Sequence, residues 1–266
     1  MLDDYPSRLL IDGSGEAVVL VPGMDGTGQL FYRQRPLLMR SRRVATYALR
    51  DSASDMPTLV SDLARVIEVV APVERRAIVI GESFGGTLAM SLALDRPERV
   101  AALVVVNSFA HFSPQIALHL GRWGLRAVPW RMMPFLRRVV ESRLHSAHTH
   151  ADDLCQFRHA TMSATREGYL NRLAILMQYD IRQRLHELGT PTLFLAAELD
   201  HFIPSLTQAK FMAARVPQAR VRVLDGHGHV CLIAPDVDLG QILDEWTTKI
   251  PPRSREPKAQ SREPRA

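Results

Sequence analysis

Six short apolar runs punctuate the chain without the alternation of polar and apolar positions that a half-solvated strand shows. They are Ala17–Val21, Val44–Leu49, Ala77–Ile80, Ala101–Val106, Leu193–Ala197 and Val221–Leu224. Runs of this kind predict strands of a parallel sheet covered on both faces. Between them the spacing becomes helical. Met56–Val70 follows Asp55, a residue type suited to cap a helix, and puts Leu59, Leu63, Val66, Ile67 and Val70 on one stripe. Thr87–Leu94, Ser205–Val216 and Val237–Trp246 read as helices by the same test. Strand and helix alternate, which predicts a doubly wound α/β sheet with right-handed crossovers.

One stretch breaks the alternation. From His111 to Leu188 there is no strand signal, only amphipathic patterning rich in Arg, His, Leu and Met, with seven of the ten histidines. The expected organisation is a core of residues 1–110 and 189–250 and a helical cap at 111–188, standing over the sheet edge where open α/β sheets bind ligands. A Pro-rich basic tail, 251–266, reads as disordered.

Composition narrows the function classes. With 266 residues, 46% of them hydrophobic and 23% charged, the chain is globular and large enough to need no staples. Two isolated cysteines, Cys155 and Cys231, exclude a disulfide framework and a zinc finger. No signal-peptide pattern opens the chain, and no uncharged stretch reaches the roughly eighteen residues of a membrane span. A soluble, cytoplasmic protein is expected. The net charge of +5 raises the question of nucleic acid. The basic excess sits in the tail and in 111–188, however, and the remainder is net negative. No nucleic-acid partner is expected.

The chemistry concentrates in three loops. Gly81-Glu82-Ser83-Phe84-Gly85 follows the run AIVI and precedes a small-residue helix, which is G-x-S-x-G between strand and helix. Glycine at both flanks lets the turn be sharp enough to expose the serine hydroxyl. A hydroxyl at its free pKa is a poor nucleophile and needs a base, which needs an orienting acid. After LFLAA comes Glu198-Leu199-Asp200-His201-Phe202-Ile203-Pro204, where Asp200 is the favoured acid and Glu198 the alternative. After VRVL comes Asp225-Gly226-His227-Gly228-His229-Val230. His229 is the favoured base because an apolar run turns its loop back to the core; His227 reads as a loop or substrate-side residue. Upstream, Pro22-Gly23-Met24-Asp25-Gly26-Thr27-Gly28 matches neither a P-loop nor a dinucleotide fingerprint, so no cofactor is expected. Backbone amides of Met24 and Phe84 are the candidate oxyanion donors.

Together these loops resemble the α/β-hydrolase family, and the wording PG-x-DGTG with GESFGG is most similar to its phytyl ester synthase and diacylglycerol acyltransferase-like branch and to related bacterial esterases. The resemblance spans residues 17–246. It implies an α/β-hydrolase fold with Ser83 as nucleophile, Asp200 as acid, His229 as base and a cap over the pocket. It implies a carboxylic ester as small-molecule substrate, with acyl transfer to an alcohol, or thioester cleavage, as alternatives. Pro22 replaces the common histidine, and the family's first two strands are missing or shortened.

Two competing signals remain. His145-Ser-Ala-His148-Thr-His150-Ala-Asp152-Asp153 nearly spells the H-x-H-x-D-H ligand run of metallo-β-lactamase-like hydrolases. It lies in a helical stretch, not in a loop after a strand, so it reads as a solvated part of the cap and no metal is expected. The cap's arginines, with Trp123, Trp130, Met132, Met133 and Phe135, fit an anionic substrate or a lipid surface. The favoured reading leaves arginines in water and packs the aromatics on the core.

Overall fold

The computed structural model describes residues 8–111, 148–200 and 202–248. Residues 112–147 of the expected cap lie outside them, as do the basic tail, His201 and, within that stretch, His145 and the five cap aromatics and methionines named above. Seven strands form one sheet in the order β1-β3-β2-β4-β5-β6-β7. They are β1 (Leu10–Gly13), β2 (Glu16–Val21), β3 (Arg42–Thr46), β4 (Ala77–Glu82), β5 (Val100–Val106), β6 (Thr192–Ala197) and β7 (Ala219–Leu224). Only the β1–β3 pair is antiparallel. The helices are α1 (Gln34–Leu38), α2 (Met56–Val70), α3 (Phe84–Asp95), α4 (Ala151–Met162), α5 (Arg166–Leu176), α6 (Ser205–Ala213) and α7 (Leu239–Thr247).

The continuous apolar runs have a simple cause. In β2, Val19 and Val21 face the core shared with α2, α3 and α6, while Val18 and Leu20 face the one shared with α1 and α7. All six expected strands are present. β1 was not expected: four residues, mostly exposed, carry almost no apolar signal. It pairs antiparallel with β3 and stands before β2 in the chain. Asp55 does cap α2, its carboxylate accepting the Thr58 N–H at 2.8 Å.

The site's position follows from the topology. β2 connects to β3 on one side, and the chain then crosses back to β4 on the other. The loops leaving β2 and β4 therefore diverge and open a crevice at the carboxyl ends of the strands. Helices α4 and α5 reach the same end. Phe157 and Ala160 of α4 pack with Leu30 and Val230, in segments following β2 and β7.

Candidate active site

Ser83 joins the last residue of β4 to the first of α3 with φ 53° and ψ −116°. A positive φ at a residue with a Cβ costs about 1–3 kcal/mol. The flanking glycines make the turn possible. A Cβ on Gly81 would stand 2.2 Å from the Gly85 carbonyl oxygen, and one on Gly85 would stand 2.1 Å from that of Val21. Backbone fills both spaces and cannot move aside. Hydrogen bonds hold the strained residue on both sides: its N–H donates to the Val106 carbonyl at 2.9 Å, and its carbonyl accepts from Ser108 Oγ at 2.7 Å.

The acid and base loops meet this serine. His229 Nε2 lies 3.1 Å from Ser83 Oγ, and His229 Nδ1 lies 2.7 Å from Asp200 Oδ2. The Phe202 and Ile203 N–H groups donate to Asp200 Oδ1 at 3.0 and 2.9 Å, and the Ser205 hydroxyl donates to Oδ2. Burial pushes the Asp200 carboxyl up, but hydrogen bonds from His229, Ser205 and the Ile203 amide outweigh it and hold it below the ordinary carboxylate range. An ionised Asp200 favours a proton on Nδ1, which leaves the Nε2 lone pair for the Ser83 hydroxyl.

The loop after β2 lies against the serine. A Cβ on Gly23 would be 3.7 Å from Ser83 Cβ. Phe84 opens α3, so its N–H is one of the helix's orphan donors. The Gly23 carbonyl accepts from Gly26 N–H at 3.1 Å, which turns the Met24 N–H of the same trans peptide to the opposite side. Serine, imidazole, carboxylate and a pair of amides are the parts that acyl transfer requires.

A family model described as serine aminopeptidase, S33, matches residues 46–236. This chain belongs to that family. The protein named, provisionally, carbamate hydrolase RutD from Klebsiella pneumoniae (strain 342) is 27% identical over 255 residues, covering 90% of this chain and 94% of its own. The counterpart from Azorhizobium caulinodans is 29% identical over 247 residues, covering 85% and 89%. A thermophilic esterase from Thermogutta terrifontis superposes with a TM-score of 0.80 at 24% identity, over 91% of this chain and 92% of that one. The fold is the α/β-hydrolase fold, and the protein is a hydrolase.

In this S33-family chain, the alternatives raised by the sequence fall elsewhere. Glu198 accepts the Gly226 N–H at 2.9 Å, away from the imidazole. His227 stacks on His148, with ring centroids 4.8 Å apart. Both rings approach Asp236 Oδ2, His148 Nδ1 at 2.8 Å and His227 Nε2 at 3.4 Å. Among the described residues this is the group whose donor atoms, all within 4.8 Å, suit a metal ion by type. It fits poorly, because a metal-bound imidazole ordinarily passes its other N–H to an acceptor. His227 Nδ1 is buried with no partner. The H-x-H-x-D-H run is also accounted for in part. Asp153, expected in solvent, is buried and takes Arg33 Nε at 2.7 Å and Tyr32 Oη at 2.8 Å.

Three residues that the sequence did not single out support the site. Asn107, at the carboxyl end of β5, donates to the His229 carbonyl at 2.7 Å and accepts the Ala197 N–H at 2.7 Å. One buried amide thus ties the base to the start of the acid loop. The signal was there to read: a polar Asn-Ser pair closing the run AALVVV. Arg172, in the arginine-rich stretch expected to face water, is 1% exposed and bonded to the loop after β2. Glu82 is buried beside Ser83, and burial pushes its carboxyl up to about 7; Asp25 and Asp200 add to the rise and His229 opposes it. Among the described residues no helix is long and apolar enough to cross a membrane.

Proposed function

We propose that this protein hydrolyses carboxylic esters through an acyl-enzyme on Ser83. Ser83 Oγ attacks the carbonyl while His229 Nε2 takes its proton. Asp200 keeps the imidazole in the required tautomer and stabilises the imidazolium. The Met24 and Phe84 amides receive the developing oxyanion. Collapse expels the alcohol, protonated by His229, and water activated by the same histidine releases the acid. The observation that carries this reading is the continuous contact Ser83 Oγ–His229–Asp200, at 3.1 and 2.7 Å, behind a serine held at φ 53°. Segment 111–188 is the cap in this reading, and α4 and α5, which pack on loops at the strands' carboxyl ends, support that role.

A carbamate is the second reading, favoured by the names of relatives that match over 90% of this chain. The same serine chemistry applies, with a carbamoyl-enzyme in place of the acyl-enzyme. The loop wording that resembles the phytyl ester synthase branch favours an alcohol over water as acceptor in the second step. One experiment separates all three. Purified protein and Ser83→Ala are given p-nitrophenyl acetate and butyrate, an aryl carbamate, and the butyrate ester with a long-chain alcohol. Ester hydrolysis predicts fast release of free acid that is lost in Ser83→Ala. Faster turnover of the carbamate, or ester product in place of acid, selects an alternative. Full activity of Ser83→Ala rejects them all.

A further inference from the structure

Among the described residues Arg172 of α5 is the largest of the fully buried side chains, and it is a cation. A buried guanidinium is stable only when its donors are paired, and two of its three bonds go to the candidate oxyanion loop. Nε donates to the Met24 carbonyl at 2.9 Å and Nη2 to the Asp25 carbonyl at 3.2 Å. Nη1 pairs with Asp51 Oδ1 at 3.0 Å. The side chain lies across the loop so closely that a Cβ on Gly26 would stand 2.5 Å from Nη1. One turn earlier on the same helix face, a Cβ on Gly168 would overlap Asp51.

The contacts fix a direction as well as a position. Four consecutive carbonyls of the loop have partners: Gly23 to Gly26 N–H at 3.1 Å, Met24 and Asp25 to Arg172, and Gly26 to Leu49 N–H at 2.8 Å. In a trans peptide the carbonyl and the following N–H point opposite ways. The two peptides that Arg172 grips carry the Asp25 and Gly26 N–H groups, and the Gly26 N–H in turn holds the Gly23 carbonyl at 3.1 Å, whose own peptide turns the Met24 amide to the opposite side. The cation also polarises the Asp25–Gly26 peptide, strengthening the Gly26 N–H bond to the Gly23 carbonyl that orients the Met24 amide.

We infer that Arg172 is a positioning residue for the oxyanion hole: the guanidinium of α5 fixes the Met24 and Asp25 carbonyls and, through the Gly26–Gly23 turn, the Met24 amide that faces the carbonyl attacked by Ser83. This rests on the acyl-enzyme reading above. It also makes the active site a joint product of the sheet and of the segment between β5 and β6, since the donor loop cannot hold its geometry when α5 is displaced.

The test compares Arg172→Met, Arg172→Lys and Asp51→Asn on an ester that the wild type turns over, with active sites counted by a fluorophosphonate probe and folding followed by Tm. Removing one oxyanion donor costs about 10²–10³-fold in kcat, so loosening one is expected to cost Arg172→Met about 10–100-fold in kcat with KM changed less than about threefold. Arg172→Lys, which restores a charged donor without the fork, recovers part of the loss. Asp51→Asn removes the ion pair but not the grip on the carbonyls, and lowers Tm with kcat retained. Arg172→Met with lowered Tm but wild-type kcat per labelled site overturns the inference and leaves a structural role. Failure of the wild type to label or turn over rejects the acyl-enzyme reading itself.

Discussion

The acid–base half of the site and its oxyanion half are held by different kinds of structure. Asp200 and His229 hang from the ends of β6 and β7, and Asn107, at the end of β5 beside β6, bonds to both segments. Asp200 is held further by the Phe202 and Ile203 amides of its own loop and by Ser205 in the first turn of α6. The loop bearing Met24 leaves β2, and two of its carbonyls are held by Arg172, more than sixty residues past β5 in the chain and on a helix outside the alternating core. In the proposed mechanism the proton-transfer groups are thus anchored at the strand ends of the sheet, whereas the oxyanion loop is gripped by a helix of the segment between β5 and β6.

The largest effect tests what the two halves share. Ser83→Ala should lower turnover by about 10⁴–10⁶-fold, because triad members act as a unit, with Tm nearly unchanged; steady-state kinetics and thermal melts check this. Next comes the core-held half. Asn107→Ala leaves the His229 carbonyl and the Ala197 amide unpaired in a buried place, which costs about 1–3 kcal/mol for each such group. A fall in kcat of about 100-fold accompanied by a lower denaturant midpoint is expected. Arg172→Met should show a smaller kcat loss, and if it matched Asn107→Ala in both measures the contrast between the halves would vanish.

Glu82 feels both halves, since its carboxyl lies near Asp25 on one side and Asp200 and His229 on the other. Its folded pKa, about 7, is above its unfolded value of 4.5. The protonated carboxyl therefore favours the folded state fully below pH 4.5, and this contribution is lost as pH rises towards about 7. The difference corresponds to roughly 3 kcal/mol at 1.36 kcal/mol per unit. Urea midpoints of the wild type should fall between pH 5 and 8, on top of any common trend, and those of Glu82→Gln should not. The smallest effect is that of Ser205→Ala, which removes one of several bonds to Asp200 and should cost about 1 kcal/mol, read as a few-fold lower kcat.

Legibility in the sequence followed the locality of the cause. Ser83 was readable because its constraint, backbone packed against Gly81 and Gly85, is written within five residues. Asp200 and His229 were placed by strand ends and loop order, and Glu198 could be set aside only once the Gly226 amide was seen to occupy it. Arg172 was not readable: its partners lie some 120 and 147 residues away in sequence. It stands among eleven arginines in 111–188, and nothing local in the sequence marks it as buried. Strand β1 escaped for the opposite reason, since an exposed edge strand needs no apolar pattern.

The account turns on whether Ser83 is the group that takes the acyl moiety. Intact-mass and peptide mass spectrometry after treatment with a fluorophosphonate addresses this directly. The prediction is one adduct per chain, on Ser83, formed in step with loss of ester turnover and absent from Ser83→Ala. An unmodified Ser83 in inactivated protein, or an adduct on another residue that removes activity, would contradict it.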